Sequence, residues 1–191
     1  DDGSMKAQVL FSSLVFSSLI VAAHAGPVVS GDFDSGINVA TAWTAKNSAP
    51  SNAVSPPTVT LTPVAGARTG GTGAQFVRIS GRDHVQDGPQ QGSFASNNLR
   101  DALISNGNNR TYSTRVWVRL DGAAQEASVR CLLRWRDNSV QQVPLILAER
   151  VVTAADGWVE LVGTAKLLWV TSLTAATVDF ECEQLHRGTT Y

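Results

Sequence analysis

Histidine, methionine, cysteine and aromatic side chains are scarce in this 191-residue chain, with three His, one Met, two Cys and 7% aromatic residues. Each scarcity excludes something. Beyond residue 25 the thiol and imidazole ligands for a zinc ion are limited to Cys131, Cys182, His84 and His186, and they show no metal-ligand spacing. Neither cysteine sits in a nucleophile context, and no Gly-x-Ser-x-Gly elbow is present. Paired carboxylates for glycoside hydrolysis are defined by a separation in space, so spacing along the chain does not single any out. A surplus of one charge is also missing: fifteen Lys and Arg stand against sixteen Asp and Glu, a net charge of −1. Bulk charge therefore points to no nucleic-acid partner and no anionic membrane. The Gly-rich stretch 65–73 lacks the Lys-Ser/Thr ending of a phosphate loop and reads as a turn. Internal repeats and, past residue 25, long amphipathic helical periods are absent as well.

The N-terminus carries a leader pattern. Asp1-Asp2-Gly3-Ser4 precedes Met5 as a cloning remnant, Lys6 supplies a basic start, 9–22 is apolar, and Ala23-His24-Ala25 is an A-x-A cleavage site. This pattern predicts a secretory signal peptide over 5–25 and a mature, secreted chain of one domain, 26–191. A membrane anchor or a buried apolar helix is the competing reading; the run is short for a bilayer span and has no stop-transfer flank. In a secreted protein two cysteines permit one disulfide. Cys131 and Cys182 lie in strand-like runs, so they either bridge neighbouring strands or remain buried thiols. Asn109-Arg110-Thr111 follows a loop and makes Asn109 a glycosylation candidate.

Short runs separated by Gly, Pro, Ser, Thr and Asn predict strands over 27–33, 41–45, 58–63, 74–80, 90–94, 111–120, 127–135, 141–147, 157–167 and 177–185, with a turn of helix within 96–105. The fold class this implies is all-β, an antiparallel β-sandwich. Alternation then sorts faces. Over 112–120, Tyr112, Thr114, Val116, Val118 and Leu120 form a core face, opposite Ser113, Arg115, Trp117 and Arg119. Over 129–136, Val129, Cys131, Leu133 and Trp135 oppose Arg130, Leu132, Arg134 and Arg136. Should both strands share a sheet, Trp117 would lie in an Arg-lined surface. An aromatic ring covers the apolar face of a sugar, and planar polar side chains fork onto its hydroxyls or hold a carboxylate or sulfate. Otherwise the arginines extend over a solvated sheet and Trp117 packs under a loop.

Several segments recur together in one known order. Val29-Ser30-Gly31-Asp32-Phe33-Asp34-Ser35-Gly36 is followed by Trp43, then by Gly81-Arg82 and Asp87-Gly88-Pro89-Gln90. Thr111-Tyr112-Ser113-Thr114-Arg115-Val116-Trp117-Val118 and Gly157-Trp158-Val159-Glu160-Leu161-Val162-Gly163-Thr164 come next, and 178–185 ends the set. The series resembles the carbohydrate-binding modules of families four, nine and twenty-two. That resemblance implies a galactose-binding-like jelly roll whose concave sheet grips a polysaccharide. It also implies a structural calcium ion, with Asp32, Asp34 and Glu183 as ligands. Gln86 stands where the family carries a sugar-stacking Trp, and Asp83-His84 where Thr and a small polar residue are usual.

The expectation is therefore a secreted, non-catalytic domain binding a polysaccharide or other glycan through Trp117, Arg115, Gln86 and His84, with Gln90 and Arg134 further out. An acidic or sulfated glycan suits the arginines. The alternative is an extracellular structural or adhesive protein that uses the same sandwich for self-association. An enzyme ranks third.

Overall fold

Alternating burial organises the molecule, as β-strands with one wet face require. The computed structural model describes residues 8–12, 17–21, 43–48, 58–66, 75–82, 85–91, 98–121 and 126–184. Its strands are β1 (Gln8–Ser12), β2 (Ser17–Val21), β3 (Thr44–Lys46), β4 (Thr60–Ala65), β5 (Gln75–Ser80), β6 (Gly88–Gln91), β7 (Arg110–Asp121), β8 (Ala127–Asp137), β9 (Val140–Gln141), β10 (Leu145–Val152), β11 (Val159–Leu167) and β12 (Leu173–Gln184). Among the described residues one α-helix, α1 (Asn98–Asn106), precedes β7, and a short 3-10 turn, Ala154–Asp156, lies between β10 and β11.

Two antiparallel sheets form. The first runs β11-β7-β1-β5-β4, with β2 also paired to β7; the second runs β10-β8-β12-β6-β3, with β9 paired to β8. The expected all-β sandwich is what the chain builds. Between the sheets lie Val116, Val118, Leu120, Val77 and Ile79 from the first, and Val129, Cys131, Leu133, Val178 and Phe180 from the second, all buried. Trp43, just before β3, is buried with its ring 5.7 Å from that of Phe180. Burying such side chains is worth about 1.5–3 kcal/mol each, which makes this interface the main source of stability.

Local chemistry sets the element ends. α1 buries Leu99 and Leu103 and stops at Gly107, whose φ of +89° lets its N–H reach the Ile104 carbonyl at 2.9 Å. β8 turns into β9 through Asn138 and Ser139, both at positive φ, the geometry of a tight two-residue hairpin. The expected strand 141–147 divides into β9 and β10, because Pro144 has no N–H for the ladder. β4 tolerates Pro63 because it is an edge strand.

The fold has an unexpected element in the segment read as a leader. β1 lies in the middle of the first sheet, with Leu10 opposite both Arg78 of β5 and Arg119 of β7. The strand expected over 27–33 lies outside the described residues.

Candidate functional site

The loop between β5 and β6 carries the densest motif, and its residues serve the backbone. Gly81 has φ +74°, and a Cβ there would sit 2.1 Å from the Thr58 carbonyl oxygen. A Cβ on Gly88 would sit 2.5 Å from the Phe180 carbonyl oxygen, so β6 needs glycine to approach β12. Arg82 clamps the loop: Nε donates to the Asp87 carbonyl at 2.6 Å, and a terminal nitrogen donates to the carbonyls of Val85 and Cys182 at 3.3 and 2.8 Å. The buried carboxylate of Asp87 accepts the Ser48 N–H at 2.6 Å. Arg82 thus ties the loop down, and Gln86 is half-buried in its turn. His84, Asp32 and Asp34 lie outside the described residues.

The outer face of the second sheet is charged. In register, Arg134 faces Thr177, Leu132 faces Asp179 and Arg130 faces Glu181. Arg134 donates to Asp179 Oδ2 at 2.7 Å and to Glu181; Lys46 of β3 reaches the same Asp179 oxygen at 2.7 Å. Arg130 donates to Glu183 at 2.7 Å. Beside this ladder is a cleft of about 230 Å³ lined by Lys46, Gln90, Arg134, Gln141, Gln142, Pro144, Thr177 and Asp179. The break at Pro144 places Gln141 and Gln142 on its rim, with Gln142 N–H bonded to the Trp135 carbonyl at 3.0 Å. Amide, guanidinium, hydroxyl and carboxylate groups at one concavity can exchange many hydrogen bonds with a polyol.

The first sheet's outer face differs. Arg115 pairs with Glu160 at 2.9 Å. Arg119 lies 5.0 Å from the Trp158 ring centroid and 6.0 Å from that of Phe76, with those two rings edge to face at 5.7 Å. Trp117 is half-buried on this face, opposite Glu160.

The predicted residues are therefore divided. Gln90 and Arg134 meet in the cleft, whereas Trp117 and Arg115 lie on the opposite side of the sandwich. The single surface joining Trp117 to the arginines of β8 does not form, because β7 and β8 belong to different sheets. Lys46, Thr177, Asp179, Gln141 and Gln142 escaped the sequence reading. The alternation Thr177, Asp179, Glu181 and Glu183 was a usable signal, but its pairing with Arg134 is a matter of tertiary register.

Of the two readings left open for Cys131 and Cys182, the structure has the free, buried thiols. Cys131 is opposite Phe180 and Cys182 opposite Val129, a diagonal relation on adjacent strands. Such diagonals separate Cα atoms by roughly 7–8 Å, beyond the span of a disulfide. Burial pushes the Cys131 thiol well above its ordinary pKa, against a weaker opposing hydrogen bond from Thr114, and raises Cys182 too. Asn109 is exposed in the turn before β7, with φ +62°. Glu183 is exposed beside Arg130. Among the described residues no group of three His, Cys, Asp or Glu is placed to hold a metal ion, and no helix is long and apolar enough to cross a membrane.

No family model and no curated protein matches the sequence. Solved structures do match the fold, which is that of the family 22 carbohydrate-binding modules. The C-terminal family 22 module of Clostridium thermocellum Xyn10B aligns with TM-score 0.54 and 16% identity over 80% of each chain. The CBM22-2 xylan-binding domain of Paenibacillus barcinonensis Xyn10C gives 0.57 and 14%, covering 83% of this chain and 86% of that one. The tandem CBM22-1-CBM22-2 domain of the same Xyn10C gives 0.60 and 14%, over 100% of this chain and 47% of the tandem. At such identities the likeness is one of fold.

Proposed function

We propose that the chain is a secreted, non-catalytic module that binds a polysaccharide in the cleft of the second sheet. The observation that carries this reading is the convergence of Gln90, Arg134, Gln141, Gln142, Thr177 and Asp179 on one concavity. The fold supports it, since the structural neighbours are described as carbohydrate-binding modules and some as xylan-binding. Affinity electrophoresis against a polysaccharide panel tests it, beside a Gln141→Ala/Gln142→Ala double variant and Trp117→Ala. Binding lost in the glutamine variant and kept in Trp117→Ala supports the cleft. The opposite pattern moves the site to the first sheet.

An acidic or sulfated glycan fits that first sheet better. Arg78, Arg115 and Arg119 share its outer face, and of these, among the described residues, Arg115 alone is engaged by a carboxylate, that of Glu160, whereas Arg130 and Arg134 of the second sheet are both occupied by carboxylates. Binding there would weaken sharply between low and moderate salt.

Calcium remains within the proposal through Asp32, Asp34 and Glu183. A calcium ion at Glu183 would have to replace its contact with Arg130. Ligand binding to the folded state raises its stability, so an unchanged Tm on going from calcium to EDTA removes the metal from this reading.

Self-association is the second reading, and the position of β1 favours it. Cleavage after Ala25 would remove β1 and free the backbone groups of β5 and β7 that face it. Open strand edges recruit strands from other chains. Light scattering of the secreted product, with its N-terminus read by mass spectrometry, separates the cases: a monomer starting at Gly26 excludes assembly through this slot.

A further inference from the structure

Two side chains at the floor of the cleft are buried without all the partners their chemistry demands. Thr177 and Asp179 are each 1% exposed, and both line the cleft. Thr177 Oγ1 and Asp179 Oδ1 have no hydrogen-bond partner among the described residues. A buried polar atom left unpaired costs free energy, so such atoms are rare and call for an explanation. Asp179 is also held in place: Lys46 and Arg134 both engage its other oxygen, Oδ2, at 2.7 Å. The carboxylate cannot rotate freely to find a partner for Oδ1.

We propose that Thr177 and Asp179 read ligand hydroxyls, and that the cleft consequently selects a neutral, hydroxyl-rich glycan over an acidic or sulfated one. This rests on the reading that the cleft is the glycan site. The ionised Asp179 is acceptor-only, so its free oxygen requires a donor from the ligand. A sugar hydroxyl donates; a sulfate or a carboxylate presents only acceptors and a repelling charge. Among the described residues lining the cleft no cation is left uncompensated, because Lys46 and Arg134 are balanced by Asp179 and Glu181. Thr177, two residues away on the same face of β12, both donates and accepts and can serve a neighbouring hydroxyl.

The discriminating variant is Thr177→Val, which keeps the shape and removes only the hydroxyl. Soluble xylan, a neutral β-glucan, polygalacturonate and heparin are titrated into wild type, Thr177→Val and Gln141→Ala/Gln142→Ala, and each protein is melted without ligand. The expected result is opposite signs in one variant. Thr177→Val binds the neutral glycan about 5–10-fold more weakly, the loss of one hydrogen bond, yet melts at the same or a higher temperature. A residue with a merely structural role would not separate the two. Asp179→Asn should bind still more weakly, with circular dichroism reporting whether its fold survives. Unchanged affinity in Thr177→Val, with binding lost in the glutamine variant, overturns this inference and leaves the cleft as the site. Binding unaffected in both variants, or absent in wild type, overturns the site reading and this inference together. Tighter binding of polygalacturonate or heparin than of the neutral glycans at moderate salt overturns the selectivity.

Discussion

Arg82, in the loop after β5, donates to the carbonyl of Cys182 on β12 at 2.8 Å, a hundred residues further along the chain. The same side chain holds Val85 and Asp87 of its own loop. One guanidinium thus seats the β5–β6 loop on the second sheet, and β6 then presents Gln90 to the cleft.

Replacing Arg82 by Lys keeps the charge and loses the planar fork, which a lysine cannot reproduce. Hydrogen bonds from charged groups are worth about 1.5–3 kcal/mol each. With at least one of the three lost, urea denaturation of Arg82→Lys should show stability lower by about 2–3 kcal/mol. A value within error of wild type would mean that the loop is held by other contacts.

Gly163 of β11, in the first sheet, lies close against the backbone of β10, in the second. A Cβ there would lie 2.1 Å from the Leu147 carbonyl oxygen and 2.9 Å from the Ala148 Cα. Both neighbours are backbone of β10, so one methyl group must displace a strand. Gly163→Ala should cost about 1–3 kcal/mol, the usual range for overpacking, and lower Tm by several degrees in calorimetry. Gly157, with nothing within 4 Å of an added Cβ, tests backbone conformation instead, because its φ is +65°.

Asp137 closes the end of β8. Its carboxylate accepts the N–H groups of Val170, Thr171 and Ser172 at 2.6 to 3.2 Å, which anchors the start of β12. The Ser172 bond, aided by those of Val170 and Thr171 and opposed by desolvation, holds its pKa below the ordinary carboxylate value. A lowered folded-state pKa adds stability that is fully present above the unfolded value, about 3.9, and is lost as pH falls through the folded one. Asp137→Asn should therefore be less stable at neutral pH and show a shallower loss of stability below about pH 4. Parallel curves for the two proteins would remove Asp137 from the acid transition.

The cysteines provide a chemical test. Both are buried thiols in diagonal positions, and desolvation opposes the reactive thiolate. A thiol reagent should label neither in the folded protein and both in denaturant, and a reducing agent should leave Tm unchanged. A mass two units lower in the oxidised protein would show a bridge instead.

Strand existence was legible from period-two patterning. The core face Tyr112, Thr114, Val116, Val118 and Leu120 is buried as read, and Trp43 is buried against Phe180. Pro144 was in plain view as a break in the strand read over 141–147, yet its consequence, two glutamines turned onto a cleft rim, depends on β9 and β10 both following β8.

Side-chain alternation is a local property, so the chain by itself determined which residues face inward and which face out. Pairing is not local. Only the tertiary structure placed β7 and β8 in different sheets, separating Trp117 from Arg134, and set Asp179 between Lys46 and Arg134 from two other strands. Sheet membership depends on which distant segments exchange backbone hydrogen bonds. A site assembled across β3, β6, β8 and β12 therefore exists only once those strands have chosen their neighbours.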